Sequence, residues 1–306
     1  MRIVYFTYFG RIGSRVLEWM LANTNDEFLG VVSRPGEQGT AILDVAFKHY
    51  LPLYQPQVNV NDPVFLDLLR KLDPDIFISM YFGRLFGPEM LAIPKVGCLN
   101  MHPSLLPKYR GQGPSTWPIV NGETETGQTV HWLNEGIDAG DIIAQRAIPI
   151  APDDTSRTLG KKLEDLGVEL FTETWPLIAS GKAPRIVQDD SQATYSVAPR
   201  REHSRIRWSM TAVQIHNMCR AFIDGGGAWA RVGGKRLFIH KAQPYTGSLR
   251  VEGARPGQVL AILGLGVLVQ AADGPVLLTS TSVGEDGPDL MTLLGQTLGN
   301  LPIVLG

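Results

Sequence analysis

Two cysteines, Cys98 and Cys219, are all that the 306 residues contain. They lie far apart in apolar or helical contexts, which excludes a disulfide-stapled framework and a cysteine-ligated zinc site, and each reads as a small buried hydrophobe. No apolar run is long enough to span a bilayer, and no charged, apolar and small-residue triplet opens the chain. No membrane association is therefore expected, and the cytoplasm is the expected location. Internal repeats and low-complexity tracts are missing as well. Nor is there a strong excess of one charge: the net charge is -2 at pH 7, and residues 203 to 306 carry nine basic against six acidic side chains. Proteins that live on nucleic acid usually show a basic bias, because phosphate contacts supply most of their non-specific affinity. Nucleic acid is disfavoured as a partner on this ground.

What is present is the composition of a globular protein, 44% hydrophobic and 19% charged, with more residues than one typical domain needs. Hydrophobic periodicity predicts strands at 2–8, 27–33 and 76–80, with helices at 12–22, 41–49 and 64–72 between them. Such alternation argues for an α/β fold, a Rossmann-like parallel sheet with helices on both faces and ligands outside the carboxyl ends of the strands. Gly10-Arg11-Ile12-Gly13 after the first strand lacks the G-x-G-x-x-G pattern of dinucleotide binding. A strand ending at Ile150 leads into a helix through Thr158 to Trp175, with Asp154 or Thr155 as its cap. From about Gly181 to Arg201 the chain turns rich in Pro, Asp, Gln and Ser, which reads as an interdomain linker. The expected division is a catalytic domain over 1–200, linker included, and a C-terminal domain over 201–306. The latter opens with a helix over 211–222 and continues as short strands at 228–232, 236–242, 257–263, 266–271 and 276–280, the pattern of a small OB-like barrel. Trp229 and Phe238 sit in alternating strands, where a core role is expected. Arg205, Arg207, Arg231, Lys235 and Arg236 read as a solvated face.

The chemistry concentrates in Asn100-Met101-His102-Pro103-Ser104-Leu105-Leu106-Pro107-Lys108-Tyr109-Arg110-Gly111, followed by Gly127-Gln128-Thr129-Val130-His131 and Ile137-Asp138-Ala139-Gly140-Asp141. An acyl transfer to an amine needs a donor where charge develops on the acyl oxygen, a group to take the amine's proton, and a partner for that group. Asn100, His102 and Asp138 have those capacities. Side chains two apart on a strand face the same way, so Asn100 and His102 should share one pocket. An isolated Asn-x-His is common, and Asp138 before Ala139-Gly140 could serve an ordinary turn. The combination with the long 104–111 string favours the catalytic reading.

On these motifs the sequence resembles the folate-dependent formyltransferases, over nearly the whole chain and with most specificity across 97–155. The resemblance implies that Asn100, His102 and Asp138 are the catalytic trio, that 10-formyltetrahydrofolate is the formyl donor, that the acceptor is a primary amine, and that no metal takes part. It further implies that the loop Tyr81-Phe82-Gly83-Arg84-Leu85-Phe86 receives the pterin, with Phe82, Gly83 and Leu85 as contacts, and that Glu135, Ile137 and Asp138 close over it. Within the family, Ser104 to Gly111, Val120 to Gly127 and Ile150 to Asp154 are similar to enzymes acting on nucleotide-linked aminosugars. Tyr109-Arg110-Gly111-Gln112-Gly113-Pro114 and the short loop Ser33 to Thr40 depart from the pattern of the methionyl-tRNA members. The expected acceptor is accordingly a nucleotide aminosugar, with Lys108, Tyr109 and Arg110 beside it and a homodimer as a possible assembly. The alternatives are a methionyl-tRNA formyltransferase, a formyl-donor hydrolase and a catalytically idle folate-binding protein.

Overall fold

In a computed structural model, residues 1–8, 11–34, 41–56, 59–285, 287–295 and 304–305 are described. The elements begin β1 (Arg2–Thr7), α1 (Ile12–Asn23), β2 (Glu27–Val32), α2 (Ala41–Lys48), β3 (Leu53–Tyr54), α3 (Pro63–Lys71), β4 (Ile76–Met80), α4 (Pro88–Leu91) and β5 (Gly97–His102). They continue with β6 (Arg110–Gly111), α5 (Trp117–Val120), β7 (Glu125–Trp132), β8 (Ile142–Pro149), α6 (Ser156–Ala179) and β9 (Tyr195–Ser196). The last set is α7 (Ala212–Ala221), β10 (Ala228–Val232), β11 (Lys235–Pro244), β12 (Val259–Leu263), β13 (Gly266–Gln270), β14 (Pro275–Val283) and α8 (Leu290–Gly295). These form two compact units, one of residues 1–114, 125–149 and 161–196, the other of 115–124, 150–160 and 197–306.

The first unit is built on a seven-stranded sheet in the order β3-β2-β1-β4-β5-β7-β8. It is parallel from β3 to β5 and antiparallel where β7 joins β5 and β8 joins β7. Parallel strands buried on both faces read as near-continuous apolar runs, and Ile76-Phe77-Ile78-Ser79-Met80 is buried along its whole length with Ser79 its one polar residue. The period of two then sends alternate residues to opposite cores. Tyr5, Ile78, Leu99 and Met101 pack with Val16 and Leu17 of α1 and Phe171 and Trp175 of α6, whereas Phe6, Phe77 and Cys98 pack with Leu66 and Leu69 of α3. Gly13 lets α1 sit tightly on β1: the Tyr5 hydroxyl donates to its carbonyl at 2.8 Å, and a Cβ there would lie 2.0 Å from Thr7 Oγ1. The glycine read against a dinucleotide motif is thus a packing glycine; its neighbour Gly10 lies outside the described residues.

The second unit carries α7, whose Thr211 and Gln214 form a reciprocal capping box, and a five-stranded antiparallel sheet in the order β10-β11-β14-β13-β12. Thr155 caps the start of α6, its hydroxyl accepting from Thr158 N at 3.1 Å. The expected α/β architecture with a C-terminal β unit stands. One expectation does not. Residues 182–196 are no slack connection: Ile186 bridges Ile142, Tyr195–Ser196 pairs with Arg110–Gly111, and Gln188 is 7% exposed. Side chains such as Gln188, Asp189 and Asp190, which by composition suggested a linker, are used in hydrogen bonds, a use that composition alone does not reveal.

Candidate active site

Three strands set the floor of the site through their register. In the ladder Ser79 of β4 is opposite Asn100 of β5, and Asn100 is opposite His131 of β7, so the three side chains stand in a row on one face. Ser79 Oγ donates to Asn100 Oδ1 at 2.8 Å, and Asn100 Nδ2 lies 3.2 Å from His131 Nε2. His102, two residues along β5, shares that face. Beyond the carboxyl end of β5, the loop 103–111 folds back so that the Tyr109 carbonyl meets His102 Nε2 at 2.8 Å.

Asp138 enters from the loop joining β7 to β8. Its Oδ2 accepts from Gly111 N at 2.9 Å and lies 3.5 Å from His102 Nδ1, while Oδ1 lies 3.4 Å from Asn100 Nδ2 and 3.6 Å from His131 Nε2. One carboxylate therefore touches all of its expected partners and one more imidazole. Tyr81, Tyr109 and Asp138 have φ of 53, 59 and 48°, left-handed values that are uncommon for residues other than glycine. Such positions cost of order 1–3 kcal/mol each and persist only where surroundings enforce them; here all three lie in the candidate catalytic and donor loops.

The protonation states follow from the geometry. A carbonyl only accepts, so the 2.8 Å contact with Tyr109 O places a proton on His102 Nε2 and leaves Nδ1 with a lone pair directed at the Asp138 side. Burial lowers the His102 pKa, and Asp138 and the Tyr109 carbonyl only partly restore it, so the imidazole is neutral at rest. At 5% exposure a charge on the ring would be poorly solvated. Burial also opposes charge on Asp138. The neighbouring His102 and His131 and the Gly111 N–H outweigh it and hold the carboxyl well below its ordinary range. His131 Nδ1 faces the Trp132 carbonyl at 2.8 Å, so its Nε2 accepts from Asn100. Both Asn100 donors are thus engaged at 3.2 and 3.4 Å, long enough to be exchanged for a stronger acceptor.

The other expected site residues scatter. Gly83 and Leu85 are exposed in the loop after β4, whereas Phe82 is buried against Phe6 and Phe86. Glu135 and Ile137 are exposed in the loop that carries Asp138. Lys108 is exposed, Tyr109 contributes its carbonyl, and Arg110 is 2% exposed. The Arg110 guanidinium donates to Gln188 Oε1, Asp190 Oδ1 and Tyr195 Oη at 2.7–3.1 Å, so it is spent inside the fold and does not present to an acceptor. Sequence reasoning left out Ser79, His131 and Gln188. His131 stood in a motif already singled out; nothing marked Ser79 or Gln188, whose partners are set by strand order and by a segment 78 residues away from Arg110. Among the described residues no group of three His, Cys, Asp or Glu could hold a metal ion, and no helix is long and apolar enough to cross a membrane.

Comparison with known proteins defines the family. The formyl transferase family model matches residues 22–175, and the model of the formyl transferase C-terminal domain matches 200–287. The chain belongs to the formyl transferase family and is a formyltransferase. A protein of Geobacter sulfurreducens named methionyl-tRNA formyltransferase is 35% identical over 266 residues, 84% of this chain and 82% of its own length. Its namesake in Moorella thermoacetica is 37% identical over 268 residues, 85% of each chain. The solved N-formyltransferase of Helicobacter canadensis, in complex with folinic acid and dTDP-3-aminofucose, superposes with a TM-score of 0.70 at 23% identity, covering 91% of this chain and 99% of that one. That likeness speaks for the fold.

These relatives overturn the nucleotide aminosugar as acceptor, and with it the expectation that disfavoured nucleic acid as a partner. The physical reason lies in what the misleading motifs do. Tyr109, Arg110 and Gly111 hold His102, Gln188 and Asp138 in place, and Gly127 leaves room for the Arg146 carbonyl, which a Cβ would approach to 2.2 Å. Such residues build the transfer site and carry no information about the acceptor. The loop Ser33 to Thr40, whose residues 35–40 lie outside the described ones, is eight positions against a relatedness running over 84% of the chain.

Proposed function

We propose that the protein moves the formyl group of 10-formyltetrahydrofolate to the amino group of methionyl-tRNA. The observation that carries the acceptor is relatedness at 34–37% identity to several proteins bearing that name. The arrangement around Asn100, His102 and Asp138 supports the chemistry. The amine attacks the formyl carbon, and charge moves to the formyl oxygen, where Asn100 Nδ2 donates in place of its long contacts. His102 takes the ammonium proton on Nδ1, and Asp138 stabilises the imidazolium. As the carbon–nitrogen bond to the folate breaks, His102 returns that proton to N10, leaving a formamide and tetrahydrofolate. Phe82, Gly83, Leu85, Glu135 and Ile137 are proposed to surround the pterin, and the exposed Lys108 to face the acceptor.

The second unit offers a local positive surface that net charge conceals. Arg231 and Arg236 are directly opposite across β10 and β11, and Val232 is paired with Lys235. Arg205 and Arg236 lie 5.4 and 4.8 Å from the Trp229 ring centroid, and Arg201 lies 5.4 Å from that of Phe238. Trp229 and Phe238 are buried, so the rings brace the guanidinium groups, and all four arginines remain exposed. A patch of this kind suits a phosphate backbone. The test is incubation of the enzyme with 10-formyltetrahydrofolate and charged methionyl-tRNA, followed by mass analysis of the aminoacyl end. Formylmethionine is expected; no formylation of the charged tRNA, with formylation of free small amines instead, refutes the reading.

A further inference from the structure

Asp138 has to meet several demands from a backbone conformation that it does not favour, and something must hold it there. The grip comes from the segment after α6. Gln188 Nε2 donates to the Asp138 carbonyl at 2.8 Å and to the Gly140 carbonyl at 2.7 Å. Its Oε1 accepts from Arg110 Nε at 3.1 Å and Nη2 at 2.8 Å. A primary amide has two donor hydrogens and two acceptor lone pairs, and all four are used, which also settles which end of the amide is nitrogen. Arg110 is anchored in turn: Nη2 reaches Asp190 at 2.7 Å and Nη1 reaches Tyr195 Oη at 3.0 Å. Arg110 adjoins Gly111, whose N–H holds the Asp138 carboxylate itself at 2.9 Å. One buried amide and one buried guanidinium thus tie together the two chain segments that fix this carboxylate, one through its backbone and one through its side chain.

We propose that Gln188, braced by Arg110, is a positioning residue for formyl transfer, fixing the Asp138 carboxylate against His102. The inference rests on the role given to Asp138 above, but not on the identity of the acceptor. Neither side chain touches substrate. The amide acts by gripping the 138 and 140 carbonyls and so keeping Asp138 in the left-handed conformation that aims Oδ2 at His102 Nδ1, 3.5 Å away. Misplacement by an ångström at such a site is enough to lower turnover by about 100-fold.

The test uses Gln188→Glu, near-isosteric, which keeps an acceptor for Arg110 and removes both donors to the turn. Arg110→Lys is the second variant, keeping a cation while losing the fork. Release of tetrahydrofolate is followed for wild type, both variants and Asp138→Asn. For Gln188→Glu we expect kcat to fall by about 10- to 100-fold while KM for donor and acceptor stays within about twofold, with far-ultraviolet circular dichroism unchanged; Arg110→Lys gives a smaller drop of the same kind. Loss of kcat in Asp138→Asn alone, with Gln188→Glu turning over as wild type, overturns the positioning role and leaves the reading of Asp138 intact. Wild-type turnover in Asp138→Asn overturns both. A Gln188→Glu enzyme that raises KM with kcat kept refutes the proposal as well, since it would place Gln188 at a binding surface.

Discussion

Truncating Asn100 tests the transfer mechanism most directly. In Asn100→Ala the donor to the developing oxyanion vanishes, and loss of one such donor costs about 2.7–4 kcal/mol of transition-state stabilisation, about 100- to 1,000-fold in kcat. The resting site loses less. Ser79 Oγ, His131 Nε2 and Asp138 Oδ1 give up contacts of 2.8, 3.2 and 3.4 Å, but Asn100 is only half buried. Water can re-satisfy such groups, so the folding cost stays at about 1 kcal/mol. The kinetic effect should therefore exceed the stability effect several-fold in free energy. Asn100→Asp is the sharper variant: the shape is kept, but a second carboxylate stands beside Asp138 and no amide hydrogens remain, so turnover should fall below that of the alanine enzyme. The assay is tetrahydrofolate release at saturating donor and acceptor, with donor affinity measured separately by fluorescence and folding by thermal unfolding. A kcat within about threefold of wild type in Asn100→Ala, or a weakening of donor binding that accounts for the whole loss, refutes the oxyanion role.

His102 faces Asp138, His131 and the Tyr109 carbonyl, and it must be neutral to take a proton; because burial lowers its pKa, the acid limb of kcat/KM should lie below the ordinary histidine value of about 6.5. Asp138→Asn removes the charge that raises this pKa, so the limb should move to still lower pH as the rate falls; a limb moving upward contradicts the assignment. The same depression means that the unfolded chain binds the proton first, so this histidine's contribution to stability is complete above about pH 6.5 and fades below it, as chemical denaturation across pH 5–8 would register. Gly13→Ala should lower stability by about 1–3 kcal/mol, seen as a drop in Tm, because its Cβ would meet Thr7 Oγ1 at 2.0 Å; an unchanged Tm would show that α1 shifts freely on β1. Replacing Arg236 by Ser should weaken acceptor binding and reduce its salt slope by about 1, with turnover on a small amine unchanged; equal salt slopes would remove the β10–β11 patch from the tRNA surface.

Local sequence determined most of the scaffold. The Val, Ile and Phe runs of β1, β2 and β4 and the helical spacing of α1, α3 and α7 need only a few neighbours to declare themselves, since burial on both faces or on one stripe imprints a period on the chain. Asn100 and His102 were readable as a pair because a strand repeats every two residues, and the structure does set them on one face with Asp138 against them. Whatever depends on contacts between distant segments was not readable. That Ser79 and His131 flank Asn100 follows from strand order and register, which no stretch of sequence states. That Arg110 serves Gln188 and not an acceptor depends on a segment that composition marked as linker. The neutral charge state of His102 comes from burial, a property of the assembled fold. Net charge, a sum over the whole chain, missed the basic patch made by pairing β10 with β11, because a sum carries no information about which charges stand side by side.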